Sequence, residues 1–297
     1  MRKKLADRIV FLIFTIFIVF SFLLLREKIN YLISQKQTIL PFAKIDKNKI
    51  IKITFEDENK KTEIYKKNDH WYLKKDGSEF KADEERIKKT IDALVSLKKE
   101  EIISKNKNKH KNFGIDKRKV TFYVNKNKFS IYIGNSVNFA SNFIRFDDDE
   151  TIFLADNLND IFSDVDWRDL KVKLINDQEK INSIEINYSS KGKKIILVKE
   201  KNNWKINEKN AKKERVDFFI NDLITLKADD IITQENFTLL NPEITINVKE
   251  NNQLKKTSIF SIDTNYYLLK IERNKLIYKI KKIYISSLEK DEDDFIQ

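Results

Sequence analysis

His70 and His110 are the only imidazoles in the chain, and both stand among lysines and polar residues. A zinc site needs a second histidine one helical turn away or carboxylates at ligand spacing, and neither accompanies them, so both read as solvated side chains. The run Asp147-Asp148-Asp149-Glu150 has oxygens enough for a calcium ion, but it lacks the alternating ligands and the glycine of a calcium loop and reads as a hairpin turn. Four glycines cannot build a phosphate cradle, and the Gly-x-Ser-x-Gly elbow of esterases is missing. The chain has no cysteine, so thiolate chemistry and disulfides are both excluded, and the redox compartment stays open. The residues thus nominate no catalytic group, no cofactor-binding group, no metal ligand and no cofactor. Trp71, Trp167 and Trp204 could form a carbohydrate platform, but the first and third recur at matching places of a repeat, which favours a core or hinge role.

The net charge of +12 raises nucleic-acid binding, yet 58 Lys and Arg are interleaved with 46 Asp and Glu along the whole chain. A phosphate backbone selects clustered cations, so no nucleic-acid partner is expected, and a basic surface near anionic lipid headgroups suits the pattern better. With 41% hydrophobic residues, 21 Phe and 10 Tyr, the chain has the material for packed cores.

Whatever does the work is positioned first by residues 9–25, IVFLIFTIFIVFSFLLL, broken only by Thr15 and Ser21. At roughly 1.5 Å per residue the run extends roughly 25 Å, the short end of a bilayer core, and Arg8 and Arg26 flank it where they can snorkel. No small-residue cleavage site follows, because Leu23-Leu24-Leu25 leads into Arg26-Glu27-Lys28. A transmembrane helix is therefore expected over 9–25, with a basic tail at 1–8 that keeps Arg2, Lys3, Lys4 and Arg8 in the cytoplasm and sends the body across. Ile29, Leu32, Ile33, Ile39 and Leu40 continue a helical spacing until Pro41, so residues 26–46 form a juxtamembrane helix and linker.

A duplicated pattern follows. Strands are expected at 50–55, 62–66 and 71–73, and again at 184–188, 194–198 and 204–206, each set closing on a tryptophan. The helical stretches 85–98 and 214–227 align without gaps, with Ile87, Ile91 and Leu94 on one stripe and Val216, Ile220 and Leu223 on the other. Even the exits correspond, Glu101-Ile102-Ile103 against Asp230-Ile231-Ile232. Four more strands follow each helix, at 120–124, 129–133, 142–146 and 151–154, then at 244–248, 257–261, 266–271 and 276–280. The expected fold class is α+β, an N-terminal transmembrane helix followed by two related antiparallel-sheet-plus-helix domains at 47–175 and 181–288. A further helix is expected near 156–162, a linker at 176–180 and a solvated acidic tail at 289–297.

The helix beginning Ala82-Asp83-Glu84, the motif Phe113-Gly114-Ile115-Asp116 before a strand, Ile131-Tyr132-Ile133-Gly134 and Trp167-Arg168-Asp169 together resemble the bacterial family called domain of unknown function 4340. The resemblance covers residues 49–170 best. In the second copy Leu239-Leu240-Asn241-Pro242 stands at the first motif, and nothing after Thr264 looks like the Ile-Gly pair. It implies a membrane-anchored extracytoplasmic protein associated with ABC-type export or gliding-motility components, without established catalytic residues. Gly114 reads as a positive-φ position and Asp116 as a turn cap. The expectation is a single-pass protein of the cytoplasmic membrane and no enzyme, serving as an accessory or recognition subunit beside an integral-membrane transporter. The alternative is a cell-envelope carbohydrate- or lipid-binding protein, or a hydrolase assembled from scattered acids such as Asp116 or Asp169.

Overall fold

The computed structural model describes residues 21, 25, 26 and 45–296, apart from 98–100, 139, 148, 157, 159, 160, 162–165, 202, 234–238 and 240. The expected membrane helix over 9–25 and its extension through 40 fall, but for those first three residues, outside the described residues. Among the described residues no helix is long and apolar enough to cross a membrane.

The chain divides into two units, Met1–Arg168 and Asp169–Gln297. Each unit is one nine-stranded antiparallel sheet with few helices, so both are predominantly β. The first contains β1 (Ile50–Glu56), β2 (Lys61–Lys67), β3 (His70–Lys75), β4 (Ser78–Lys81), β5 (Ile102–Ser104), β6 (Lys119–Val124), β7 (Asn127–Ser136), β8 (Ser141–Phe146) and β9 (Ile152–Asp156), in the spatial order 4-3-2-1-6-7-8-9-5. Helix α1 (Glu84–Val95) carries the chain from edge strand β4 to the opposite edge strand β5. The second unit repeats this with β10 (Ile181–Tyr188), β11 (Lys193–Glu200), β12 (Asn203–Ile206), β13 (Lys209–Ala211), α2 (Lys213–Thr225), β14 (Asp230–Thr233), β15 (Ile244–Glu250), β16 (Gln253–Ser261), β17 (Tyr266–Ile271) and β18 (Leu276–Lys281), in the order 13-12-11-10-15-16-17-18-14. Two short helices, α3 (Lys282–Ser286) and α4 (Asp293–Ile296), end the chain.

The duplication reaches details too small for sequence patterns. In each unit an aspartate, Asp46 or Asp177, caps a single 3-10 turn that leads into the first strand, and Lys49 or Lys180 pairs back to it at 3.6 or 2.8 Å. Each first strand then carries a register shift, between Ile50 and Lys52 or between Ile181 and Ser183. An alternating strand would put Ile50 and Ile53 on opposite faces, and the bulge lets both be buried. The expected linker at 176–180 is thus the lead-in to β10. Tight hairpins in a glycine-poor chain use Asn68-Asp69, Asn207-Glu208 and Asn251-Asn252, all at positive φ, because asparagine tolerates the left-handed conformation that such turns demand.

Asp83 accepts a hydrogen bond from the Arg86 amide at 3.1 Å and starts α1, with Glu84 and Glu85 in its first turn where the helix dipole favours acids. Its buried stripe, Ile87, Ile91, Leu94 and Val95, joins Ile53, Phe55, Ile64, Phe122, Ile131, Ile133 and Ile144 in one core. In α2 the stripe is Val216, Phe219, Ile220 and Leu223. Each such side chain contributes on the order of 1.5–3 kcal/mol of transfer free energy. The boundary between the units falls ahead of the expected 175, because Val172 and Leu174 are fully buried and the Val172 and Ala228 amides donate to the Leu226 and Leu170 carbonyls, all within the second unit. The expected helix at 156–162 falls mostly outside the described residues, and Asp156 ends β9.

Candidate functional site

Asp166, Trp167 and Arg168 close the first unit as a strap that folds back on the sheet. The Trp167 carbonyl accepts from the Asp83 amide at 2.8 Å, and Ala82 and Arg168 form an isolated bridge, so the strap is tied to the start of α1. The Trp167 indole stacks on Phe55 with ring centres 4.5 Å apart and planes 20° from parallel, and the Arg86 guanidinium lies 6.0 Å over the ring. With 7% of its surface exposed, the Trp167 indole is a core ring. Arg168 is 3% exposed and its Nε donates to both Asp166 oxygens at 2.9 Å. Burial alone would push the Asp166 carboxyl up, but the Arg168 guanidinium and backbone amide overcome it and hold the carboxyl below the usual aspartate range.

Beside this strap lies a cleft of about 380 Å³ lined by Lys60, Lys61, Thr62, Leu73, Lys74, Lys75, Asp166 and Trp167. β2, β3 and the loop before β2 supply the four lysines of this lining. Lys61 is shared between Glu56 at 3.4 Å and Glu63 at 3.6 Å, and the Glu56 hydrogen bond raises its affinity for its proton. Lys75 reaches Asp166 at 3.7 Å. Among the described residues, Lys60 and Lys74 have no carboxylate within ion-pair distance. The site can hold an anion, and its lining residues include no imidazole or thiol.

The family-like motifs meet elsewhere in the same unit. Gly114 has φ +65°, and a Cβ there would lie 2.3 Å from the Asn135 side-chain oxygen. A Cβ on Gly134 would lie 2.3 Å from the Phe113 carbonyl and 3.0 Å from Ile115. Phe113 packs edge-on against Phe143 at 4.7 Å, Ile115 is fully buried, and Arg118 donates to the Gly134 carbonyl. The motifs are thus a packed joint between a loop and β7. Asp116 caps nothing among the described residues and is exposed, contrary to expectation. Strand register places the counterpart of Ile133-Gly134 at Ile259-Phe260 rather than beyond Thr264, so the second unit carries a buried phenylalanine at the position of the glycine.

His70 is exposed and its Nδ1 lies 2.7 Å from a Glu84 oxygen. His110, expected in solvent, is 6% exposed with its Nε2 2.9 Å from the Glu150 carbonyl oxygen, because two consecutive 3-10 turns tuck it under the β8–β9 hairpin. In the acidic run, Asp149 accepts from the Thr151 amide at 2.8 Å, Asp147 lies 3.8 Å from Lys119 and Glu150 lies 3.2 Å from Lys107. Among the described residues no group of three His, Asp or Glu could hold a metal ion.

The tail expected in solvent is the second unit's own strap. Phe295 is 1% exposed, meets Phe219 edge-on at 5.5 Å, and its carbonyl accepts from the Lys212 amide at 2.8 Å, as Trp167 does from Asp83. The Tyr188 hydroxyl donates to the Leu288 carbonyl at 2.7 Å and accepts from the Lys290 amide at 3.1 Å. Burial drives the Tyr188 pKa up to about 12. Glu289 pairs with Lys191, Asp291 with Lys193, and Glu292 with Lys209 at 2.7 Å and Asn207 at 2.9 Å. Sequence reading missed both straps and the cleft, since acidic stretches read as solvated faces.

The model of the family described as domain of unknown function (DUF4340) matches residues 71–242, more than half of the chain. The chain belongs to the DUF4340 family. The matched span of this DUF4340 protein begins inside β3 and ends just before β15, so it takes in parts of both units rather than the first alone. No curated protein and no solved structure matches the chain.

Proposed function

We propose that this DUF4340 protein is a tethered, non-catalytic recognition subunit. Residues 9–25 cross the cytoplasmic membrane with residues 1–8 inside, and both sheet units stand outside it beside an integral-membrane partner of an ABC-type transport or cell-envelope complex. The observation that carries this reading is the uncharged apolar run of seventeen residues ahead of two units whose conspicuous polar clusters are spent on ion pairs and straps. Tethering raises the local concentration of the units at the membrane surface, so modest contacts suffice for stable association. Alkaline phosphatase and green fluorescent protein fused in turn to residue 297 test the topology: phosphatase activity without fluorescence is expected, and the reverse pattern rejects it. Purification from mild detergent is expected to retain a polytopic membrane protein, and repeated recovery of the chain alone counts against the partner.

A further inference from the structure

We infer that the face of the first sheet turned away from its core binds an acidic polysaccharide. Alternation along the strands puts Ile53, Ile64 and Phe122 in the core with α1, and Lys52, Tyr65 and Tyr123 on the other face. Cross-strand pairing then lines up Lys81, Tyr72, Tyr65, Lys52, Tyr123 and Lys128 in one row over β4, β3, β2, β1, β6 and β7. At about 4.8 Å between strands the row is roughly 24 Å long. It mixes phenol rings with ammonium groups and contains no acid. Lys52 lies 5.0 Å from the Tyr123 ring centre, Lys67 lies 5.7 Å from that of Tyr72, and the Tyr65 and Tyr72 rings stack at 6.5 Å. All three rings are half-buried, so part of each meets solvent.

The second unit shows that the fold does not require these rings. The same pairings there give Asn210, Lys205, Val198, Ser183, Lys249 and Leu254, a row without an aromatic residue. Tyr132, which has Lys119 4.7 Å and Arg145 3.9 Å from its ring centre on the same face, corresponds to Ser258. The β3–β4 hairpin also runs two pairs further than β12–β13, which adds Lys74 and Glu79 to this face without counterparts. The acids of the face, Glu56, Glu63, Glu79 and Asp147, each lie within ion-pair distance of a lysine beside them: Lys61, Lys52, Lys67 and Lys119. Lys81 and Lys128, at the two ends of the row, have no carboxylate partner among the described residues. A glycan with a carboxylate on its sugars fits both features. Its rings lay their C–H faces on the phenols, its carboxylates meet the ammonium groups, and Glu63 and Glu79 accept from its hydroxyls. A nucleic acid carries a phosphate at every step, and acids beside the row repel it. The inference goes beyond the proposed function and holds for either topology.

The test uses the full chain in detergent and a fluorescent oligogalacturonate. Saturable binding that weakens as salt rises is expected. Tyr65→Val/Tyr72→Lys/Tyr123→Lys installs the residues that the second unit carries at these places, and it adds positive charge while removing the rings. Its affinity is expected to fall by about tenfold or more, whereas attraction by charge alone would raise it. Lys81→Gln/Lys128→Gln, at two exposed positions where folding is not at stake, is expected to weaken binding by about threefold and to flatten its salt dependence. Absence of saturable binding, unchanged or tighter binding by the tyrosine variant, or unchanged binding by the lysine variant overturns the inference. Equal binding of the methyl-esterified oligomer, or tighter binding of a single-stranded oligonucleotide, overturns it too. None of these readouts depends on the reporter fusions or on a co-purifying partner, so this face and the proposed function fail separately.

Discussion

The first unit closes its strap with a stacked indole and a buried arginine–aspartate pair, whereas the second uses an edge-on phenylalanine and a row of exposed ion pairs. Both straps end in the same backbone hydrogen bond to the residue that precedes the helix. The shared backbone geometry with unlike side chains indicates that the fold-back is a requirement of the nine-stranded sheet, since the opening beside α1 or α2 must be covered, and that the covering chemistry is free to diverge. Phe295→Ala and Trp167→Ala sharpen this most. Each is expected to cost about 3–5 kcal/mol in urea unfolding, confined to its own unit, because each removes a buried ring. If either substitution leaves its unit's midpoint unchanged, the strap is an accessory and the comparison fails.

The joint between the Phe113-Gly114 loop and β7 is the next contrast, because the second unit has Phe260 where the first has Gly134. Gly134→Ala is expected to destabilise the first unit by about 1–3 kcal/mol, since the new methyl meets the Phe113 backbone rather than a movable side chain. Gly114→Ala, which forces a positive φ on alanine and crowds Asn135, is expected to cost about 1 kcal/mol. Phe260→Gly would leave a cavity rather than make an equivalent joint, and a stabilised second unit would show the register match to be wrong.

The central strands and both helices were legible because Ile, Val and Phe alternate in the strands and because 85–98 and 214–227 share a stripe. The edge strands β4, β5, β13 and β14 were not read as strands, being at most four residues long, too short for a period to register. His110 was misread because Lys109 and Lys111 dominate its sequence neighbourhood, while its burial comes from Glu150, forty residues away. The candidate cleft was invisible for the same reason: Lys60, Lys74 and Asp166 meet only after the strap folds back, and no spacing in the chain announces that.

Acid and salt distinguish the two straps more gently. Lys193 holds the Asp291 carboxyl below its usual range, and Lys209 and then Asn207 do the same for Glu292. Carboxyls depressed in the folded state add stability above their unfolded pKa, about 4, and that stability is lost as pH falls through the folded values. Amide exchange across residues 288–296, taken relative to the intrinsic rate at each pH, is therefore expected to speed up below about pH 4. Near neutral pH it is also expected to speed up with added salt, because these pairs face water. Asp166 is also depressed and loses its contribution on acidification, but Arg168 is shielded from solvent, so the amides of 166–168 are expected to respond to acid and hardly to salt. Equal salt responses would erase the distinction between the straps.

The smallest effect concerns the outer face of the two sheets. Thr54 is fully buried with its hydroxyl oxygen unpartnered among the described residues, while its register counterpart Glu185 is half-buried and lies 3.2 Å from Lys194. Thr121 and Ser130, next in the row, satisfy each other at 3.2 Å and leave Thr54 nothing to bond. A buried hydroxyl without a partner lowers stability, so Thr54→Val, which keeps the shape and removes the polar atom, is expected to stabilise the first unit by up to about 1 kcal/mol. The gain requires that the row stay dry. If water reaches Thr54, the valine variant loses that hydrogen bond and unfolds at lower urea, and the outer face of the first sheet is then hydrated like that of the second.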